Sequence, residues 1–321
     1  MRLVNETSLP SQFLARLARI VPADQLDAVL AALARRPTTF RVNTLKTTRA
    51  ALLAKLSAQG FQTDAVAWYR DAFVLRSKSK QELIETPMYA GGELYVQSLS
   101  SMIPPLVLQP KPGDKVCDLA AAPGSKTTQM AALMGNGGEI VANDRSRIRL
   151  YKLTANLKQQ GVTNVRLARL QGEVFWKKYP EYFDKTLIDA PCSLEGRFDI
   201  ADEKSYRDWS VRKVQALSVL QRHLLRSAVS ATRAGGVIVY STCTLAPEEN
   251  EKVIDWLLDK ERGAVEIEPV ELAIENVQPG IARWERKDFS PRVRETVRIL
   301  PSELMEGFYI AKLRKRRSTL K

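Results

Sequence analysis

From about residue 115 the sequence alternates short apolar runs with amphipathic ones, and that rhythm restricts the chain to very few folds. KVCDLA (115–120), GEIVAND (138–144), NVRLARL (164–170), FDKTLIDA (183–190) and GGVIVYSTC (235–243) read as strands. Between or after them KTTQMAALM (126–134), RIRLYKLTANLKQQ (147–160), a long stretch over 210–231 and PEENEKVIDWLLDK (247–260) read as helices. GFYIAKL (307–313) adds a last strand. Strands joined by helices of this length form a parallel sheet covered on both faces. The expected class is α/β.

The first 90 residues have a different rhythm. Residues 10–21 and 23–35 space apolar side chains at three and four, giving two short helices divided by Pro22. A strand is expected near Phe40–Val42, then a helix capped by Thr48 and closed by Gly60. The runs in 61–90 read as short strands. A boundary is expected near Ala90–Gly92, giving a smaller N-terminal region (1–90), a main domain (91–315) and a basic tail (316–321).

Charge adds a second constraint. The 321 residues carry 49 Lys and Arg against 36 Asp and Glu, a net charge of +13. Residues 1–90 hold +6 and residues 310–321 another +6, so the middle is nearly neutral. A polyanion suits such ends. Phosphate attraction is expected there, more from a folded N-terminal platform than from the tail, and removal of 1–90 is expected to leave a folded cofactor site. Three cysteines and no apolar run of membrane length point to a cytoplasmic protein with no membrane partner; a monomer is expected.

In an open α/β sheet the ligand lies beyond the carboxyl ends of the strands. The first such turn, Ala120-Ala121-Ala122-Pro123-Gly124-Ser125-Lys126, is made of small residues that let backbone approach a ligand. It lacks both GxGxxG and the opening glycine of a phosphate loop. Asp144 ends the second strand 20 positions after Gly124, where nucleotide cofactors find a carboxylate for their ribose hydroxyls. A cofactor with a ribose and no pyrophosphate fits, and S-adenosylmethionine (SAM) has that form. Cys192 and Cys243 follow the fourth and fifth strands on the same edge, with Asp189 beside the first. No CxxC is present and the single histidine, His223, falls in a helix, so no metal is expected.

The segments Val116 to Met130, Asp189 to Arg197 and Tyr240 to Glu251 resemble three motifs of the RNA (cytosine-5) methyltransferases of the Nop/Sun (Fmu) type. Arg41-Val42-Asn43-Thr44, Gln97 to Met102 and Gly307 to Ala311 are similar to flanking blocks of that family. The resemblance spans about 38–315. It implies a Rossmann-like SAM-dependent methyltransferase domain after a smaller α+β domain resembling an RNA-recognition fold. It implies Cys243 as nucleophile toward C6 of cytosine, Cys192 as the group assisting release, and Asp189 at the base edge. SAM would be held by residues 120–126, Asp144, Asp189 and, less directly, Arg149. Where the family usually has an aspartate near the adenine amino group after the third strand, this chain has Gln171 by spacing, whose amide oxygen is expected to accept from that amine. The RNA is tRNA or rRNA. Two alternatives stay open: a DNA cytosine-5 methyltransferase, and a non-catalytic RNA-binding or assembly factor on the same scaffold. The two acids of Pro247-Glu248-Glu249 would oppose a thiolate at Cys243.

Overall fold

The computed structural model describes residues 8–34 and 36–320; residues 1–7, Arg35 and Lys321, which the charge argument counts, lie outside the described residues. Two helices lead, α1 (Ser11–Ile20) and α2 (Leu26–Ala31). A small sheet follows from β1 (Thr39–Val42), α3 (Arg49–Ala58), β2 (Thr63–Ala65), β3 (Ala72–Leu75), α4 (Lys80–Ile84), α5 (Pro87–Ala90) and β4 (Leu94–Val96). The sheet order is β2-β3-β1-β4, all antiparallel, in the split β-α-β-β-α-β arrangement expected of an RNA-recognition-like fold. Thr48 caps α3 as expected, accepting from the Ala51 N–H.

The run 61–90 is not all strand. Ser79 and Glu82 form a reciprocal capping box that starts α4, and Thr86 before Pro87 starts α5. The sheet also closes on β4, beyond Ala90, because Phe40 pairs with Val96 and Val42 with Leu94.

The large sheet takes β5 (Lys115–Asp118), β6 (Glu139–Asn143), β7 (Val165–Ala168), β8 (Phe183–Asp189) and β9 (Thr232–Thr242) in the parallel order β7-β6-β5-β8-β9. Around it lie α6 (Leu99–Leu108), α7 (Ser125–Leu133), α8 (Arg147–Gln160), α9 (Val211–Ala231) and α10 (Glu251–Glu261). The C-terminal strands β10 (Val265–Glu268), β11 (Val277–Pro279), β14 (Val297–Ile299) and β15 (Phe308–Lys315) extend it antiparallel, and β12 (Arg283–Trp284) pairs with β13 (Lys287–Asp288) apart. The α/β expectation is borne out. Among the described residues no helix is long and apolar enough to cross a membrane.

Alternation along the strands feeds two cores. Cys117, Ile188, Ile238, Tyr240 and Tyr309 face α9 and α10; Val116, Leu187, Val239 and Ile310 face α6 and α7. Helix α1 does not pack on the small sheet. Its Phe13, Leu17 and Ile20 enter the first of these cores, with the Phe13 ring 4.8 Å from that of Phe198. Removing residues 1–90 therefore strips the main core, contrary to the expectation of an intact remainder.

Candidate active site

Strand order reverses between β5's two neighbours, β6 and β8, and a crevice opens there beyond the carboxyl ends. It is a cavity of about 620 Å³. Ala120, Ala122, Pro123, Ser125 and Lys126 line it from the first turn. Asp144 and Arg149 line it at one end, and Asp189, Cys192 and Cys243 at the other.

The turn is held in place from behind. Gly124 has φ +107°, and a Cβ there would lie 2.5 Å from Leu153 Cδ1 of α8. Ala121 packs against Leu153 and Leu157 rather than into the cavity. The Ala122–Pro123 peptide is cis. Asn143 clamps the cavity floor, donating to the Leu119 and Leu170 carbonyls and accepting from the Leu170 N–H. Asp144 Oδ1 accepts from the Ser146 N–H, at 2.9 Å. Its Oδ2 is buried without a hydrogen-bond donor, although Arg149 approaches to 3.3 Å. Arg149 also donates to the Ala122 carbonyl, so it ties the two halves of this end together.

Gln171 is exposed and does not line the cavity. A 3₁₀ turn starts immediately after it, and Gly172 and Glu173 line the cavity in its place. The turn packs tightly: a Cβ on Gly172 would lie 2.4 Å from Leu224 Cδ2.

At the other end the two thiols meet, with Cys192 Sγ 3.4 Å from Cys243 Sγ. The hydrogen bond with Cys243, reinforced by burial, pushes the Cys192 thiol well above its usual range. The two thiols share one hydrogen bond, in which either sulfur can be the donor. Asp189 lies between two donors: Lys126 Nζ at 2.6 Å on Oδ2 and Ser241 Oγ at 2.9 Å on Oδ1. Lys126 also donates to Ser101 Oγ, 2.8 Å away. The Gln97 to Met102 block explains itself here, because it brings Ser101 to the lysine.

The acids after Cys243 do not present two free negative charges to it. Glu248 forms a bidentate pair with Arg16 of α1, at 3.1 and 2.6 Å, and accepts from Trp284 Nε1. Burial raises its carboxyl, but Arg16 outweighs that and holds it below the ordinary range. Glu249 Oε2 accepts from the Ser193 N–H and Gln221 Nε2, while Oε1 is buried without a donor. Burial pushes Glu249 up to about 8, so it is mostly neutral at pH 7. Glu251, third in the run, is buried against Arg298 at 2.5 Å.

Two lining residues meet in a contact that the sequence does not signal. Arg197 sits over the thiol end, 3.3 Å from Glu306, and Glu306 accepts from Ser98 Oγ. Arg197 stands in the Asp189 to Arg197 motif, but nothing in the sequence joins it to Glu306. Among the described residues no cluster of three or more His, Cys, Asp or Glu could hold a metal ion.

Residues 105–314 match the family 16S rRNA methyltransferase RsmB/F, and residues 9–99 match the N-terminal domain of 16S rRNA methyltransferase RsmF. A tRNA (cytosine(49)-C(5))-methyltransferase of Pyrococcus abyssi is 42% identical over 87% of this chain and 88% of its own length. The ribosomal RNA small subunit methyltransferase F of Aeromonas salmonicida is 38% identical over 98% of this chain. The chain spans 65% of that relative's length. The crystal structure of a methyltransferase homolog protein from Pyrococcus horikoshii superposes with a TM-score of 0.84, at 34% identity over 98% of both chains. These matches bear out the resemblance to the Nop/Sun enzymes, and the chain belongs to the 16S rRNA methyltransferase RsmB/F family.

Proposed function

We propose that this chain methylates C5 of cytosine in RNA, with SAM as methyl donor. The observation that carries the reading is the thiol pair at 3.4 Å beside the Lys126–Asp189 bridge, in the crevice where the fold binds ligands. The relatives' names support RNA as substrate, and tRNA and rRNA enzymes are both among them. In this reading β1 to β4 with their helices form the smaller domain, and the chain from α6 onward, with α1 and α2 packed into its core, is catalytic.

The residues at the Asp144 end suit SAM. The orphaned Asp144 Oδ2 is an acceptor for a ribose hydroxyl, and the small turn 120–126 admits backbone contact. When bound there, SAM supplies an electrophilic methyl group. C5 of cytosine is a poor nucleophile until a group adds at C6. Cys243, hydrogen-bonded to Cys192, is that group in this reading: its sulfur bonds C6, the C5–C6 electron pair shifts into the C5–C4–N3 system so that C5 becomes nucleophilic, and the thiol proton is taken up at N3. Asp189, oriented by Lys126 and Ser241, faces the N3 edge, where its carboxylate accepts from the N3–H formed on addition and stabilises the positive charge that develops on methyl transfer. After methyl transfer the C5 proton passes to solvent, the electron pair it leaves re-forms the C5–C6 double bond and expels the Cys243 sulfur, and Cys192, hydrogen-bonded to that sulfur, assists the release. The rival DNA-enzyme reading puts the nucleophile at Cys192, a thiol that its hydrogen bond with Cys243 and its burial push well above the usual range.

The test is a pair of variants assayed on RNA. Cys243→Ala should lose methyl transfer and retain SAM binding. Cys192→Ala should accumulate a SAM-dependent protein–RNA adduct that survives denaturing electrophoresis. Near wild-type transfer by Cys243→Ala overturns the assignment, as does an equal adduct in the double variant.

A further inference from the structure

The charge pattern raises the question of where the RNA lies, and the tail and the face of the small sheet are both engaged within the chain, although Lys78 and Lys80 of the N-terminal region stay exposed. The tail cations form ion pairs: Lys312 and Arg314 with Glu268, Lys315 with Glu181, and Arg316 with Glu266. They also stand at the wrong edge. Strand β15 pairs Tyr309 with Thr242 at the cavity edge and Arg314 with Val237, so it runs away from the thiols. The small sheet is covered as well. An RNA-recognition sheet stacks bases on its open face. Here Phe40 and Phe73 face the sheet's own helices, while Ala72 and Val74 join the core of α6 and α7. Arg41, between them, is fully buried and donates to Ser125 O and Thr128 Oγ1 of α7.

One basic surface in the nearly neutral middle is left open. Residues 145–160, comprising α8 and its lead-in, hold five cations (Arg145, Arg147, Arg149, Lys152 and Lys158) and no acid. Leu153 and Leu157 bury one side of the helix. The other side exposes Arg147, Ile148, Tyr151 and Lys152, with Ile148 73% and Tyr151 60% exposed. Arg147 Nε donates to Tyr151 Oη across one helical turn, at 3.0 Å, presenting a cation beside an open ring. The surface is rigidly mounted. Asn156 donates to Tyr95 Oη and Gln160 to the Leu94 carbonyl, fixing the C-terminal half on the small domain. At the other end Arg145 and Arg149 line the cavity itself.

We propose that this face of α8 carries the RNA segment flanking the target cytosine, with phosphates at Arg147 and Lys152 and a base stacked on Tyr151. Cations along a helix match a phosphate backbone, and an open aromatic ring beside them suits an unpaired base. The face is continuous with the cavity rim, so a strand lying on it enters the site without crossing the ion-paired edge. This surface rests on the reading of the substrate as RNA, and it locates the RNA where neither the charge balance nor the small domain would put it.

The test is a salt titration of RNA binding by the full chain, using unmodified tRNA and small-subunit rRNA transcripts, with SAM binding and thermal melting as folding controls. Arg147→Gln/Lys152→Gln should flatten the log–log salt slope by about 1.4, roughly 0.7 for each lost contact to an unpaired strand. Tyr151→Ala should weaken binding about tenfold with little change in slope. Both should raise KM for RNA and leave kcat and SAM affinity within about twofold, because none of the three side chains lines the cavity. Unchanged affinity and slope in both variants overturn the proposal and assign the face to a protein neighbour. A wild-type chain that binds RNA and transfers no methyl refutes the catalytic reading while the surface is still decided by the variants. A chain that binds no RNA overturns both.

Discussion

The two ends of the chain carry equal formal charge and use it differently. Two N-terminal cations are driven inward as struts, while Arg19, Lys55, Arg70, Arg76, Lys78 and Lys80 stay exposed. Arg16 reaches the acid next to the thiol motif, and Arg41 joins the small sheet to the helix that bears Lys126. The C-terminal cations stay at the surface of β15 and meet acids across the strands, except Lys315, which is buried on Glu181 and two carbonyls. Net charge is a sum, and it does not distinguish a cation that holds a fold from one that meets a ligand. What decides is the neighbour: a buried carboxylate fixes a guanidinium, an exposed one only screens it.

The largest effect expected from this difference is at Arg16. Its removal leaves Glu248 buried with only the Trp284 N–H as hydrogen-bond donor. Breaking such a pair costs about 3–5 kcal/mol. Arg16→Ala should therefore lower the unfolding free energy by that amount, read from the shift of the urea midpoint at constant slope, while the thiol residues themselves are untouched. A loss under about 1 kcal/mol would place Arg16 with the surface pairs and erase the contrast between the ends.

A smaller effect sharpens the same contrast on two adjacent residues. Glu248 has a cation from the N-terminal helix; Glu249 has none and is pushed up to about 8 from an ordinary value near 4.5. Between those values the folded chain binds more protons than the unfolded one, so stability falls as pH rises. The contribution is fully present below about 4.5 and lost as pH passes about 8. Asp118, buried and raised to about 7, adds the same sign over the lower part of that window. The urea midpoint should thus drop from pH 5 to pH 8, and Glu249→Gln should remove the part of the drop above pH 7. An unaltered profile in Glu249→Gln would mean that Glu249 is ionised like its neighbour.

How much of this the sequence discloses depends on the range of the contact. The strand-end turn, Asp144, Asp189 and the two cysteines are legible because strand ends gather on one edge whatever the loops do. The capping box at Ser79 and the Thr86-Pro87 start are local signals, legible too, but overridden by the short apolar runs around them. Arg16 with Glu248, 232 positions apart, and Arg197 with Glu306 are not legible, since no periodicity links them. The antiparallel strands β10 and β14 are short and pair directly with β15, and β11 joins through β14, so their register comes from β15 rather than from their own pattern. Gln171 shows the limit from the other side: spacing put it at the cofactor, but the backbone turns one residue later and Gly172 takes the approach.

The smallest effect belongs to the tail, and it is informative because the sequence alone predicts more. Arg314 and Arg316 pair across β10 with Glu268 and Glu266, and Arg317 donates to the Arg262 carbonyl. Their partners are at least one-fifth exposed, so the pairs are screened by water. Exposed pairs of this kind contribute about 0–1 kcal/mol each. Arg314→Gln/Arg316→Gln/Arg317→Gln should change the urea midpoint by that little. The same variant removes three positive charges, as many as a sizeable phosphate footprint needs, yet the cations lie at the end of β15 remote from Thr242. RNA affinity should stay within about twofold, with a salt slope equal to wild type, where three lost contacts would flatten it by about 2. A slope flattened by that much would bring the RNA around to the far edge of the sheet. The two ends of the chain would then differ in stability alone, and no longer in what they bind.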